Sequence, residues 1–220
     1  IMTSFLIQWK KIPMKIILQR IMTKNKRFTK KKNRQFLYCL FIAVLMTLNA
    51  CTTRFIPIQE PGLIVSDDLA VYKTNELVLT VSEQMWVKDP QYLSDHYTTF
   101  WVKIQNNSNE TIKILPKDFA LLDEFRNQQD VQDYEQVLEL MMQDETLYVD
   151  RFLMSVQTQQ EIMQRRSQIQ RNIIMDSFAF GEILPRASKQ GIIYFPKVKA
   201  NTNRMVFVFN KKEITFQRMK

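Results

Sequence analysis

Residue types that most often carry out covalent or proton-transfer chemistry are scarce in this chain. Its 220 residues include two cysteines, Cys39 and Cys51, and one histidine, His96. A cysteine thiolate is a nucleophile, and a neutral imidazole is a general base. His96 follows Ser94 and Asp95, but the members of a catalytic triad meet in space rather than as sequence neighbours. We therefore interpret His96 as a loop residue and predict that the chain is not an enzyme.

Cys51 stands at the end of a segment with a recognisable order. Residues 24–34 are strongly basic, and residues 36–48 form an apolar run of 13 residues. A bilayer-spanning helix needs about 20 residues, whereas the apolar region of a secretory signal needs about 7–15 after a positive segment. The order predicts a cleavable leader over residues 1–50. This leader either starts at Met22 or carries the preceding residues as an unstructured extension.

The last four residues of the segment, Leu48-Asn49-Ala50-Cys51, resemble the lipobox of bacterial lipoprotein precursors. The resemblance implies that the Cys51 thiol receives a diacylglyceryl thioether and that a peptidase cuts between Ala50 and Cys51. Fatty acids such as palmitate would then anchor the protein in a membrane. Thr52 is not acidic, which in Gram-negative members of the family favours the outer membrane. The alternative is an uncleaved signal anchor in which Cys51 has no role.

The excess of positive charge belongs to this leader. Eleven of the 31 basic residues and none of the 22 acidic residues precede Cys51, so 20 basic and 22 acidic residues follow. We therefore predict no nucleic-acid partner. Metal sites need several histidines, cysteines or clustered carboxylates, and phosphate loops need glycines, of which the chain has 3. We predict neither a metal nor another cofactor.

The chain after Cys51 alternates between short strand patterns and turn residues. Residues 97–105 give the clearest strand, because Phe100, Val102 and Ile104 occupy every second position. With a polar turn and a second alternating run, residues 97–114 predict a β-hairpin. Further strands are predicted at residues 70–72, 77–81, 119–122, 191–195, 205–209 and 213–216.

Residues 131–175 contain neither proline nor glycine, and their apolar residues recur at helical spacing. They predict a helical hairpin with a break near residues 144–150. The whole pattern predicts a mainly β protein, an antiparallel β-sandwich with this helical hairpin inserted. It resembles the small immunoglobulin-like domains of bacterial envelope lipoproteins. The predicted parts are a leader over residues 1–50, a lipidated start and tether over 51–68, and the sandwich over 69–220.

The helical insertion is the predicted recognition surface, because a sandwich core does not need it. Met141 and Met142 offer adaptable apolar contacts, while Arg165 and Arg166 either bind phosphate or form a solvated face. The alternative is that the apolar stripe only packs on the sandwich. We predict a non-enzymatic envelope lipoprotein that binds or assembles another envelope protein. The alternatives are a carrier of a small molecule or lipid, with a cleft between sandwich and helices, and a hydrolase around His96.

Overall fold

Twelve strands, three α-helices and one 3₁₀ turn form the part of the chain that the computed structural model describes, residues 54–152 and 159–219. These residues belong to one of the two units into which the chain divides, the unit that begins at Thr53. The predicted leader, with Met22, Ala50 and Cys51, lies outside the described residues.

The elements follow one another in two β-rich stretches separated by a pair of long helices. The first stretch has β1 (Phe55–Pro57), β2 (Leu63–Ser66), β3 (Leu69–Lys73), β4 (Leu77–Glu83), α1 (Leu93–His96), β5 (Tyr97–Asn106), β6 (Ile112–Ile114), the 3₁₀ turn (Pro116–Asp118), β7 (Phe119–Leu122) and β8 (Gln128–Asp130). The helices α2 (Tyr134–Phe152) and α3 (Gln159–Asp176) come next. The second stretch has β9 (Gly181–Ile183), β10 (Ser188–Pro196), β11 (Arg204–Phe209) and β12 (Lys212–Arg218).

The strands form two five-stranded sheets and one short ladder. The first sheet has the order β1-β12-β11-β7-β8, the second has the order β10-β5-β4-β3-β2, and β6 pairs with β9. Every strand pair in the three assemblies is antiparallel. The predicted mainly β fold, an antiparallel sandwich with two helices inserted between strands, is therefore confirmed.

Side chains from both sheets fill the space between them. In β5 the predicted alternation is confirmed, because Phe100, Val102 and Ile104 are completely buried in this core. The ring of Phe100 lies 5.0 Å from that of Phe207 and 5.2 Å from that of Phe216, both in the opposite sheet. Aromatic pairs at such distances add to the stabilisation from buried apolar area. We call this cluster the sandwich core.

The predicted hairpin over residues 97–114 is wrong. Strand β6 pairs with β9, so that Ile112 lies opposite Ile183. Both edges of β5 are already occupied, one by β4 and the other by β10. Because a strand has only two hydrogen-bonding edges, β6 must find its partner elsewhere.

Two predicted boundaries also need correction. Residues 51–68 were predicted to form a tether, but β1 and β2 lie within its described part and belong to the two sheets. The carbonyl of Arg54 already accepts a hydrogen bond from the Met219 amide at 2.8 Å. The helical break predicted near residues 144–150 does not occur, because α2 continues to Phe152.

The chain makes a close backbone approach at Gly191 in β10. A Cβ atom on this residue would lie 2.6 Å from both the backbone nitrogen and the Cα atom of Phe178. Phe178 follows α3, and its amide donates a hydrogen bond of 2.9 Å to the carbonyl of Ile192. Only glycine leaves room for the chain to pass this close.

Replacing Gly191 with alanine is expected to destabilise the protein by about 2 kcal/mol or more. Overpacking costs about 1–3 kcal/mol, and the backbone of Phe178, unlike a side chain, cannot rotate away from the added methyl group. Urea unfolding of the purified full-length protein measures the change in the free energy of unfolding. Ser188→Ala, at an exposed position of the same strand, is the control and should stay within about 0.5 kcal/mol of the parent. An unchanged midpoint for Gly191→Ala would contradict the close approach.

Candidate functional site

The two long helices pack on the outer face of the second sheet at β10 and the start of β5. Their apolar side chains pack with those of β10, α1 and the segment before it in a second cluster, which we call the hairpin core. Its buried members are Trp86, Leu93, Tyr97, Val137, Met141, Ile169, Ile173, Ile192 and Tyr194. The spacing of Val137 and Met141, and of Ile169 and Ile173, is one helical turn, so each helix presents one apolar stripe to the sheet.

The chain segments on either side of the helices cover the free edge of β10. The amide of Gln132, before α2, donates to the carbonyl of Tyr194 at 2.9 Å, and the amide of Phe178, after α3, donates to the carbonyl of Ile192 at 2.9 Å. An uncovered strand edge would offer unpaired amide and carbonyl groups to other chains. The insertion is therefore part of the folded domain and not an addition to its surface.

The predicted partner-binding residues lie in different environments. Met141 is completely buried in the hairpin core, so the prediction that it contacts a partner is corrected in favour of intramolecular packing. Met142 is half-buried and packs against the same core. Arg165 and Arg166 are half-buried, and each interacts with another group of the protein. The structure does not bring the four residues together as an exposed patch.

A different stripe of α3 faces the solvent. Met163 is 67% exposed and Ile174 is 43% exposed. They are separated by 11 residues, or about three helical turns, and therefore lie on the same side of the helix. Ser167 and Arg171 lie between them and line a shallow groove with neighbouring glutamines. We call Met163, Ser167, Arg171 and Ile174 the outer hairpin face.

The side chain of His96, the last residue of α1, pairs with a residue of α2 and does not form a site with its sequence neighbours. Its Nε2 atom lies 2.8 Å from Oδ2 of Asp144, and both side chains are partly exposed. Such a pair contributes about 0–1 kcal/mol to stability. The hydroxyl group of Ser94 donates to the carbonyl of Trp86 at 3.2 Å, so this serine is engaged elsewhere.

A cleft of about 210 Å³ opens at the end of the sandwich where the described chain begins. We call this the proximal end, because it is nearest to Cys51 in sequence. The cleft is lined by Phe55, Glu83, Met85, Trp86, Ser94, Tyr97, Thr98, Thr99, Lys197, Val198, Ala200 and Arg218. The indole N–H of Trp86 is buried without an acceptor among the described residues. Sequence reasoning missed this cleft, because its lining comes from five separated segments.

Glu83 is the acidic group of the cleft. Burial raises the pKa of its carboxyl group, since a carboxylate loses favourable hydration there. A hydrogen bond from the Phe55 amide and the positive charges of Lys197 and Arg54 act in the opposite direction, but burial is the largest effect. The cleft therefore favours the neutral form of this acid more than water does.

Comparison with known proteins finds no matching family model, no similar curated protein and no similar solved structure. The resemblance to immunoglobulin-like envelope domains therefore stays a prediction from the sequence. Within residues 54–152 and 159–219, no helix has both the length and the apolar character needed to cross a bilayer. The same residues contain no group of three or more His, Cys, Asp or Glu side chains placed to bind a metal ion.

Glu83→Gln is expected to stabilise the protein at neutral pH. Because its pKa is raised on folding, folding is favoured while Glu83 is protonated, and this advantage is lost as the pH rises from the ordinary value of 4.5 through the raised one. The variant and the parent should therefore unfold at similar temperatures near about pH 4, and the variant at a higher temperature near about pH 7. Thermal unfolding of the full-length protein across this range measures the difference.

Glu213 provides a control of opposite sign. Hydrogen bonds of 2.8 and 2.9 Å from the Arg126 guanidinium lower the pKa of its carboxyl group. Its stabilising effect is present above the ordinary pKa and is lost as the pH falls through the lowered one. Glu213→Gln should therefore lower the unfolding temperature at neutral pH and converge with the parent in acid. Parallel pH profiles for the two variants would contradict the assigned environments.

Proposed function

We propose that this protein is a non-enzymatic lipoprotein of the cell envelope, anchored by fatty acids on Cys51 and presenting its sandwich at a membrane surface. In a Gram-negative cell the membrane is the outer one. The support lies in the order of the first 51 residues: a basic segment, an apolar run too short to span a bilayer, and the sequence Leu48-Asn49-Ala50-Cys51. Attached acyl chains contribute about 0.8 kcal/mol per buried methylene, so two or more give stable anchoring.

The observation that carries this proposal is the position of Cys51 relative to the folded domain. Strand β1 begins at Phe55, four positions after Cys51, and Arg54 is already hydrogen bonded to the end of the chain. Cleavage before Cys51 would remove the whole basic leader and leave every described strand in place. A lipid-bearing cysteine at the new N-terminus would then hold all of the described strands at the membrane.

We further propose that the domain binds another envelope protein through the outer hairpin face. The buried side of the hairpin is needed to cover the second sheet, and the opposite side carries Met163 and Ile174 in solvent. Exposed apolar side chains rimmed by polar ones are characteristic of interaction surfaces. Methionine adapts its shape to different partners.

The carrier alternative is less well supported. The space between the helices and the second sheet is occupied by the side chains of the hairpin core. The proximal cleft, at about 210 Å³, is smaller than the roughly 300–1,000 Å³ of typical ligand pockets. At the proximal cleft, size therefore counts against a lipid-sized ligand.

Replacing Cys51 with serine is expected to abolish incorporation of labelled palmitate and to release the protein from the membrane fraction, because a hydroxyl group does not replace the thiolate nucleophile. Cys39→Ser is the matched control and should leave labelling unchanged, since Cys39 belongs to the leader. The measurement is labelling of growing cells, followed by fractionation. Equal labelling of the Cys51→Ser variant and the parent would refute the proposed anchor.

Charged substitutions on the outer hairpin face are expected to reduce crosslinking to the protein partner at least about tenfold, which corresponds to a loss of about 1.4 kcal/mol. The variant is Met163→Glu combined with Ile174→Glu, both at exposed positions. Deleting the hairpin would not be informative, because its removal uncovers Ile192 and Tyr194. Leu184→Glu, at an exposed apolar position outside the hairpin, is the control.

Crosslinking is carried out on the native anchored protein, and partners are identified by mass spectrometry. The same envelope protein should be recovered with the parent and with Leu184→Glu, and should be depleted with the double variant. Recovery of that protein in equal amounts from all three would show that the outer hairpin face is not the binding surface. Folding of each variant is checked by its unfolding temperature.

A further inference from the structure

We infer that the proximal end of the sandwich rests directly on phospholipid headgroups, with the exposed side chains of Phe125, Met219 and Met85 entering the membrane interface. This inference depends on the proposed lipidation of Cys51. It goes beyond anchoring, because it fixes which end of the domain contacts the membrane and through which side chains.

The length of chain between the lipid and the domain is the first argument. Only Thr52 and Thr53 separate Cys51 from Arg54. The Arg54 carbonyl is held by the Met219 amide at 2.8 Å, and Phe55 is paired with Arg218 in the first sheet. Three residues of extended chain span at most roughly 11 Å. The lipid on Cys51 would therefore hold the proximal end close to the headgroups.

A chain of hydrogen bonds places the β7–β8 turn at the same end. The amide of Met219 donates to the carbonyl of Arg54, and the neighbouring amide of Arg218 donates to the carbonyl of Asn203 at 2.9 Å. The amide of Asn203 in turn donates to a carboxylate oxygen of Glu124 at 3.4 Å. Phe125, the next residue, is 72% exposed at the tip of this turn.

Exposed apolar side chains surround the point where the chain enters the domain. Met219 is 55% exposed and Met85 is 44% exposed, and Met85 lines the proximal cleft together with Phe55 and Arg218. With Phe125 these residues come from three different segments. Moving apolar side chains from water into the boundary between headgroups and acyl chains lowers the free energy of the system.

Charges at the proximal end are balanced. Exposed Arg54 lies 3.7 Å from Asp68, and hydrogen bonds from Asn127, together with the positive charge of Lys199, lower the pKa of Asp123. Glu124 and Lys197 add one charge of each sign, and so do Glu83 and Arg218 in the lining of the proximal cleft. A surface of this kind matches zwitterionic headgroups, which also carry both signs, and gains little from anionic lipid.

The available space favours lipid over a protein at this end. An α-helix with its side chains is about 10–12 Å across, which is the full length of the connection from Cys51 to Arg54. A headgroup layer fits within that length. A helix or sheet of another protein placed between the membrane and the proximal end would need the connection from Cys51 to Arg54 to be fully extended. The outer hairpin face is not subject to this restriction.

Tryptophan fluorescence in vesicles with brominated acyl chains tests the inference, because bromine quenches indoles only at short range. Lipidated, processed protein carrying Phe125→Trp is reconstituted in phosphatidylcholine vesicles with and without bromine. The control is Leu184→Trp, at a position 63% exposed. The carbonyl of Leu184 accepts a hydrogen bond from the side-chain amide of Asn106, the last residue of β5. Tyr97, the first residue of this strand, lines the proximal cleft, and the strand is about 30 Å long. Leu184 therefore lies at the end of the sandwich opposite the proximal end.

We expect bromine to reduce the added emission of Phe125→Trp at least twofold and to leave that of Leu184→Trp unchanged, after subtraction of the parent signal. Met219→Trp provides a second reading if Phe125→Trp does not fold. Palmitate labelling is measured on the same preparations. Labelled protein with an unquenched probe at both Phe125 and Met219 overturns the orientation and leaves the anchor intact, whereas absent labelling overturns both. Equal quenching at Leu184 also overturns the orientation.

Discussion

Strand β10 buries both of its faces, and much of the architecture depends on this. Ile193 and Phe195 enter the sandwich core, while Ile192 and Tyr194 on the other face enter the hairpin core. A strand with two apolar faces cannot lie at the surface of a sandwich without a second layer over it. The helical hairpin supplies that layer, and the segments at its two ends cover the outer edge of β10. Gly191 permits the closest of these contacts.

The fold class and most of the strands could be predicted from the sequence, because both depend on patterns among neighbouring residues. Alternation at Phe100, Val102 and Ile104 requires only the period of two and the burial of one face. Pairing is not local: β6 pairs with β9 about 70 residues later, since β4 and β10 occupy both edges of β5. Strand β1 was missed because it has three residues, one of them a proline, and owes its structure to β12.

The candidate site shows the same division between local and tertiary information. Helical periodicity correctly predicts that residues near Met141 form a stripe, but it does not say whether the sheet or the solvent receives that stripe. The sandwich decides this, because Ile192 and Tyr194 need a cover and the stripe of α2 provides it. The same packing leaves Met163 and Ile174 of α3 on the side that faces the solvent. The proximal cleft could not be predicted, because no single segment contains more than a few of its lining residues.

In the proposed lipoprotein, the strength of membrane anchoring and the orientation of the domain would have different physical origins. Acyl chains on Cys51 would supply the affinity, at about 0.8 kcal/mol per methylene, but a flexible lipid imposes no particular orientation. The surface ion pair Arg54–Asp68 lies within the domain and contributes about 0–1 kcal/mol to its stability, so it does not by itself orient the domain on a membrane. The short connection to β1 is stronger as a constraint, because the pairing of Phe55 with Arg218 fixes its direction within the first sheet. If Cys51 carries the proposed lipid, the place where β1 joins the sandwich would determine which end of the domain meets the membrane, and the side-chain contacts there would act only after that constraint is in place.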